Sequence, residues 1–364
     1  MRRLANRATG MMLALACALG ACQDDFDKPT LVNHPMLLGV HTEVVGDRQR
    51  ATPAPGETAL VQLDLVGPRG SYKTKNLSSL LVVCSYPVRF AGVPICQEFL
   101  DLAALPPEEL MAMFGDLTIE PNQVHVACEG NITAEALGVA LNCITGTPSL
   151  EITVNKDTKA DDLLLRGVVC TTGQAVFDPT LPELFGCDSA ENDNDALTFH
   201  SRLRLASADE ARNNNPDLAA IQMTINGRNF DSEPDASIPK RKCAQYADVG
   251  GPLLIDPYDH LLGFDVPKKA REKLPGGGRE TWEFTVYATA GDVIRRFTLF
   301  SDDDATQMGG STLKTVMWNG GGLVDYGESQ LVDFWITVRD QRGGFITVPR
   351  SACVELPEAI GSLH

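Results

Sequence analysis

Apolar and polar residues alternate with period two along much of this chain, the spacing of strands that are dry on one face and wet on the other. In Thr58–Val66, Ala59, Val61, Leu63 and Leu65 fall on one side, Gln62 and Asp64 on the other. Ser149–Asn155 sets Leu150, Ile152 and Val154 against Glu151 and Thr153. Leu197–Leu205 sets Leu197, Phe199, Leu203 and Leu205 against His200, Arg202 and Arg204. Ile221, Met223 and Ile225 alternate with Gln222 and Thr224. Trp282, Phe284, Val286 and Ala288 alternate with Glu283, Thr285 and Tyr287. Val332, Phe334, Ile336 and Val338 alternate with Asp333, Trp335, Thr337 and Arg339. Such strands suit antiparallel sheets packed face to face.

Helical patterning is scarce. Pro106–Gly115 has prolines and acids for a first turn and a terminal glycine, and Thr133–Leu141 is a second helical candidate. Both belong to an insertion after Cys96. The run Asn213-Asn214-Asn215-Pro216 breaks the pattern, so a linker is expected over 208–217, between a first domain over 36–207 and a second over 218–356. Asn229–Lys242 reads as a polar surface loop, and 357–364 as a tail.

Composition narrows the function classes. Of 364 residues, 43% are hydrophobic and 22% charged, enough apolar mass for buried cores. The formal charge of −17 excludes nucleic acid as the partner of the surface as a whole, since phosphate-binding surfaces need excess Lys and Arg. Arg2, Arg3 and Arg7 precede an apolar run from Met11 to Leu19, too short to span a bilayer as a stable helix. That run closes on Leu19-Gly20-Ala21-Cys22, which resembles the lipobox of bacterial lipoproteins. The resemblance implies a signal peptide over 1–21, a lipidated Cys22 as the new first residue, and a tether over 22–35. Three arginines leave with the signal, taking the charge from −17 to −20. Gln23 after the cysteine resembles the outer-membrane sort of such proteins, facing either the periplasm or the cell surface.

Beyond Cys17 and Cys22, eight cysteines remain, an even number in an exported chain and therefore a disulfide framework. Eight cysteines permit 105 connectivities. Sequential spacing suggests Cys84–Cys96, Cys128–Cys143 and Cys170–Cys187, with Cys243–Cys353 left to tie the second half together. Zinc is disfavoured, because no C-x-x-C occurs.

Pro55-Gly56-Glu57-Thr58, opening an alternating strand, resembles the first hairpin of Ig-like and PKD-like domains. The run from Phe334 to Gly344 resembles their last hairpin. With the lipobox and the paired cysteines, the chain is similar to Ig-like surface lipoproteins of myxobacteria-type Gram-negative bacteria. The fold expected is mainly β: two Ig-like antiparallel β-sandwich domains, the first with a partly helical insertion, stapled by disulfides. The resemblance supplies no catalytic residues.

Motif chemistry is sparse. No G-x-S-x-G, H-E-x-x-H, phosphate loop or Rossmann fingerprint occurs, and no cofactor is expected. Asp188–Asp195 and Asp302-Asp303-Asp304 are acidic runs of the kind calcium takes, with Asp193 and Asp195 as the first ligands to consider; solvated loop charge is the competing account. Trp335 and Tyr287 lie opposite the expected core, where aromatic rings would stack on a sugar. Asp340 in Arg339–Gly344 suits a turn that caps backbone N–H groups, while Arg339 and Arg342 would suit an anion. The function expected is non-enzymatic binding or spacing in the cell envelope, anchored by lipid, with an unidentified protein or polysaccharide partner. A carbohydrate-active or other hydrolase with its site at the domain junction is one alternative, and a calcium-stabilised adhesion module another.

Overall fold

The structure, a computed structural model, describes residues 29–73, 75, 77–85, 132–134, 139–146, 149–177, 185–188, 195–206, 212–247, 251–304, 310–321, 323 and 328–356, with the backbone alone at 85, 132–134 and 139–146. Two β-sandwiches follow one another along the chain.

The first contains β1 (Met36–Val44), β2 (Thr58–Gly67), β3 (Gly70–Ser71), β4 (Leu77–Ser85), β5 (Ile132–Ala134) and β6 (Val139–Gly146). It continues with β7 (Ser149–Thr153), β8 (Asp162–Cys170), β9 (Ala175–Phe177), β10 (Phe185–Cys187) and β11 (Ala196–Arg204). One sheet has β2 at its centre, with β1 on one side and β3 and β7 on the other. The facing sheet runs β11-β8-β4-β6-β5, all antiparallel. Alternation fills the space between them: Val61, Leu63 and Leu65 from β2 meet Leu81 and Val83 from β4 and Leu163 and Leu165 from β8. A two-stranded flap, β9 and β10, is tied back by the Cys170–Cys187 disulfide, with Cα atoms 5.8 Å apart.

The second sandwich pairs two five-stranded sheets. It contains β12 (Gln222–Ile225), β13 (Arg228–Asn229), β14 (Leu253–Ile255), β15 (Asp259–Pro267) and β16 (Trp282–Ala288). It ends with β17 (Asp292–Val293), β18 (Phe297–Phe300), β19 (Ser311–Asn319), β20 (Gln330–Arg339) and β21 (Phe345–Val354). The sheet orders are β13-β12-β15-β19-β17 and β14-β21-β20-β16-β18. Pairing is antiparallel except where β14 runs parallel to β21, a departure from the purely antiparallel expectation. The core is aromatic: the Phe284 ring lies tilted against Phe264 and Phe300, with centroids 5.0 and 4.9 Å away, and Trp318 meets Phe334 edge-on. Cys243 and Cys353, both fully buried, are bonded with Cα atoms 5.7 Å apart.

Three sequence expectations change. Thr133–Leu141, read as helix, carries the end of β5 and the start of β6; β6 runs the length of β4, and a ladder overrides local helix propensity. The other helical candidate, Pro106–Gly115, lies outside the described residues. The expected tether does not reach residue 35. Leu31 forms a parallel bridge with Ala288: the Ala288 amide donates to Thr30 O at 2.9 Å and the Val32 amide to Ala288 O at 2.8 Å. Val32 is buried, so the start of the described chain is docked on the second sandwich before it enters the first. Finally, β20 is buried on both faces. Val332, Phe334, Ile336 and Val338 face the core, but Asp333, Trp335 and Thr337 on the other face are covered too.

Candidate functional site

β1 and β11 are edge strands, one from each sheet of the first sandwich. The turn between β20 and β21 reaches across to them. Asp340 shapes that turn as its sequence suggests: one carboxylate oxygen accepts from the Arg342 and Gly344 amides, both at 2.8 Å. Gly343 takes a φ of 112°, open to glycine and strained for other residues. Phe345, two residues on, lays its ring on Gly39, where a Cβ would lie 2.4 Å from a ring carbon. A glycine at this point of β1 is therefore what lets the two halves meet. Arg339 stacks on the Phe345 ring at 5.2 Å and donates to Leu38 O at 2.7 Å. His41 Nδ1 is hydrogen-bonded to Phe345 O.

The supposed linker is the keystone of this contact. Asn213 Nδ2 donates to Asp340 Oδ2 at 2.7 Å, with both residues buried. Asn214 Nδ2 donates to Glu272 Oε1 at 2.6 Å. Asn215 bonds both halves: its side chain donates to Thr42 O at 2.8 Å and accepts from the Phe345 amide at 3.1 Å. The backbone joins the first half as well, through Ala51 N to Asn213 O and Asn215 N to Gln49 O. Three consecutive amides, read as a chain breaker, supply donors and acceptors to both sandwiches at once.

Behind the asparagines lies a partly buried charged cluster. Arg342 Nη1 sits 3.2 Å from Glu272 Oε2 and 3.6 Å from Glu280 Oε2. Glu280 Oε1 accepts from Trp282 Nε1 at 2.6 Å and from the Glu272 amide at 3.1 Å. Glu280 is 3% exposed, and burial pushes its carboxyl above the usual range, helped by the charges of Asp340 and Glu272. Arg271 fills its donors on the carbonyls of Glu280, Phe300 and Ser301. On the first sandwich, Arg50 grips Glu57 with two nitrogens at 2.5 and 3.0 Å, which holds the Glu57 carboxyl below its ordinary value.

Glu280 gives a signed pH prediction. A carboxyl whose folded value is raised favours folding below the ordinary Glu range, and that contribution is lost as pH rises through the raised value. Gln at 280 keeps the acceptor for Trp282 and for the Glu272 amide while removing the titration. The melting temperature of Glu280→Gln is therefore expected to rise relative to the unsubstituted protein as pH climbs from the ordinary Glu range through the raised value. Parallel melting curves for the two proteins across that range would count against this origin of the shift.

Beside the cluster opens a groove of about 640 Å³ between β1, β11 and the β20–β21 turn. Leu37, Leu197 and Phe199 contribute apolar wall; His34, His200, Arg202, Arg204 and Arg339 contribute cationic or imidazole groups. Among the described residues, no Asp or Glu lines it. Arg202 is partnered by Asp162, which is buried and does not line the groove. In a chain of net charge −17, this concentration of one sign stands out. The sequence placed His200, Arg202 and Arg204 on one face of a strand and noted Arg339 for an anion; the fold brings all four to one groove. Glu272 and Glu280 carried no sequence signal beyond their polarity, and Asn213–Asn215 only that of a chain break. The asparagine side chains bond to partners 58 to 173 residues away.

The other expected site residues fall elsewhere. Trp335 is 2% exposed, clustered with Val32, Leu38, Val66 and Phe345, so it has no open face for a sugar. Tyr287 packs beside it half-buried, and burial raises its phenol. Their covering comes from the docked segment and from β1, far away in sequence. Asp193 lies outside the described residues. Asp195 accepts from Thr171 Oγ1 at 3.1 Å, and among the described residues no three His, Cys, Asp or Glu gather as a metal site. Cys84 is disulfide-bonded. Cys22, Cys96 and Cys128 and the Cys143 side chain lie outside the described residues.

No family model matches the sequence, and no curated protein matches it. Among solved structures, the chain is similar to Escherichia coli alpha-2-macroglobulin activated by porcine elastase, at 8% identity and a TM-score of 0.20. The match covers 91% of this chain and 22% of that one.

Proposed function

We propose that this chain is a lipid-anchored protein of the bacterial envelope that binds an acidic polysaccharide in the groove between its two sandwiches, without catalysing a reaction. One observation carries the binding reading: an open groove at the junction holds Arg202, Arg204, Arg339 and His200 and, among the described residues, no carboxylate. Clefts lined by one sign of charge concentrate ligands of the other. The apolar wall of Leu197 and Phe199 adds contact area for a sugar ring or backbone. A hydrolase at the junction would need a tuned carboxyl within reach of the bound ligand. Glu280 is the raised carboxyl there, but it is buried against Trp282 and does not line the groove.

Retention on a panel of immobilised acidic and neutral glycans tests the proposal. Acidic members such as polygalacturonate should retain the protein, and raised salt should weaken that retention. Arg204→Glu should lower the affinity by about tenfold or more, the scale of about 1.4 kcal/mol expected when one charged contact reverses sign. Equal retention on neutral dextran, or an unchanged affinity in Arg204→Glu, would refute it.

A further inference from the structure

At the far end of β16, a second feature has no part in the groove. The turn between β17 and β18 places Ile294, Arg295, Arg296 and Phe297 in four consecutive exposed positions. Ile294 is 55% exposed, Phe297 46% and Leu299, on β18, 40%. β18 is the edge of its sheet. Exposed large apolar side chains flanking a pair of arginines have the composition of a surface that enters the headgroup layer of a bilayer.

The position of the chain's start says what covers this patch. Pro29 and Thr30 line a cavity together with Ile294, Arg295, Arg296 and Phe297, and a second one with Arg296 and Phe297. The N-terminal segment is thus fixed by its bridge to Ala288 directly beside the turn. Six residues separate Pro29 from Cys22, which limits the distance from the anchor to Pro29 to about 25 Å even when fully extended. Asp292 lines the first of these cavities and Glu283 the second, but both are half-buried, whereas both arginines are exposed.

We infer that Ile294, Phe297 and Leu299, with Arg295 and Arg296, dock the protein onto the anionic bilayer that carries its own anchor. This inference rests on the lipidation of Cys22. Docking would orient the second sandwich with its β17–β18 end down. A lipid surface is favoured over a protein partner because the tether leaves the patch no farther than its own length from the headgroups, and because arginines suit phospholipid phosphates.

The three native tryptophans are all buried, at 0–2% exposure, so Phe297→Trp adds an exposed reporter to the full chain. With the lipidated variant in vesicles containing phosphatidylglycerol, emission from the introduced indole should shift to the blue and be quenched by brominated lipid. Adding Ile294→Asp and Leu299→Asp should abolish both effects while the protein still pellets with the vesicles. Anchored Phe297→Trp protein whose reporter is as accessible to acrylamide as in the soluble Cys22→Ser form would overturn the docking. So would a blue shift that grows with protein concentration without vesicles, since that would mean a second copy covers the patch. Failure of the anchor looks different: Cys22→Ser would pellet with membranes as well as the parent does, or neither would pellet. The lipid-free arm then decides, with a blue shift on phosphatidylglycerol vesicles at low salt upholding the patch and no shift rejecting it.

Discussion

A Cys243→Ala/Cys353→Ala double variant is expected to lose about 4–5 kcal/mol of stability in its second sandwich, with a fall in melting temperature of about 10–15 °C. The bridge spans 110 residues, nearly the whole domain. Cross-linking removes more freedom from an unfolded chain as the closed loop lengthens, so this staple outweighs Cys170–Cys187, whose loop spans 17 residues and is worth about 3 kcal/mol by the same relation. Both sulfurs are buried beneath Leu331 and the partly buried Ile238, Ala244 and Leu254. The native bond is therefore shielded from reductant until the domain opens. Calorimetry on the oxidised protein and the double variant measures the difference. A loss below about 1 kcal/mol would mean that the unfolded second half is already compact enough to need no staple.

How far the sequence foretold this arrangement depends on the reach of each interaction. β16 was legible because its alternation reports one local fact, that every second side chain faces a core, and Trp282, Phe284, Val286 and Ala288 are all buried. β20 has the same pattern but is covered on both sides. The cover on its outer face includes Val32 and Leu38, some 300 residues upstream, and no local period encodes a partner that distant. Asn213–Asn215 shows the converse. Its composition marks a break in regular structure, which is correct, yet a break and a hinge are different things, and these amides are held by Thr42, Glu272, Asp340 and Phe345. The groove was half legible: His200, Arg202 and Arg204 share a strand face, but that Arg339 joins them follows from docking of the sandwiches. That Thr133–Leu141 carries strand ends and not a helix also lies beyond a local reading, since the ladder of β6 with β4 decides it.

Trp282 links the aromatic core to the junction, and its removal should be felt in both. The ring is 1% exposed and lies 6.5 Å from Phe284, which in turn contacts Phe264 and Phe300. Its Nε1 donates to Glu280, and Glu280 in turn faces Arg342, which pairs with the Glu272 that holds Asn214. Trp282→Ala is expected to destabilise the second sandwich by about 3–5 kcal/mol through lost burial and the cavity left behind. Trp282→Phe keeps most of the packing and removes only the donor, so it should destabilise by about 1–3 kcal/mol, the loss of one of the two hydrogen bonds that the buried Glu280 Oε1 accepts. Denaturant unfolding separates the two. Hydrogen exchange then reads the relay: in Trp282→Phe the amides of Ala51 and Asn215, which hold the keystone segment to the first sandwich, should exchange faster. A double-mutant cycle with Glu280→Gln isolates the contact itself, because the Trp282→Phe penalty should shrink when the buried carboxyl is already neutral. If it is the same in both backgrounds, Trp282 acts on the core alone and the junction stands without it.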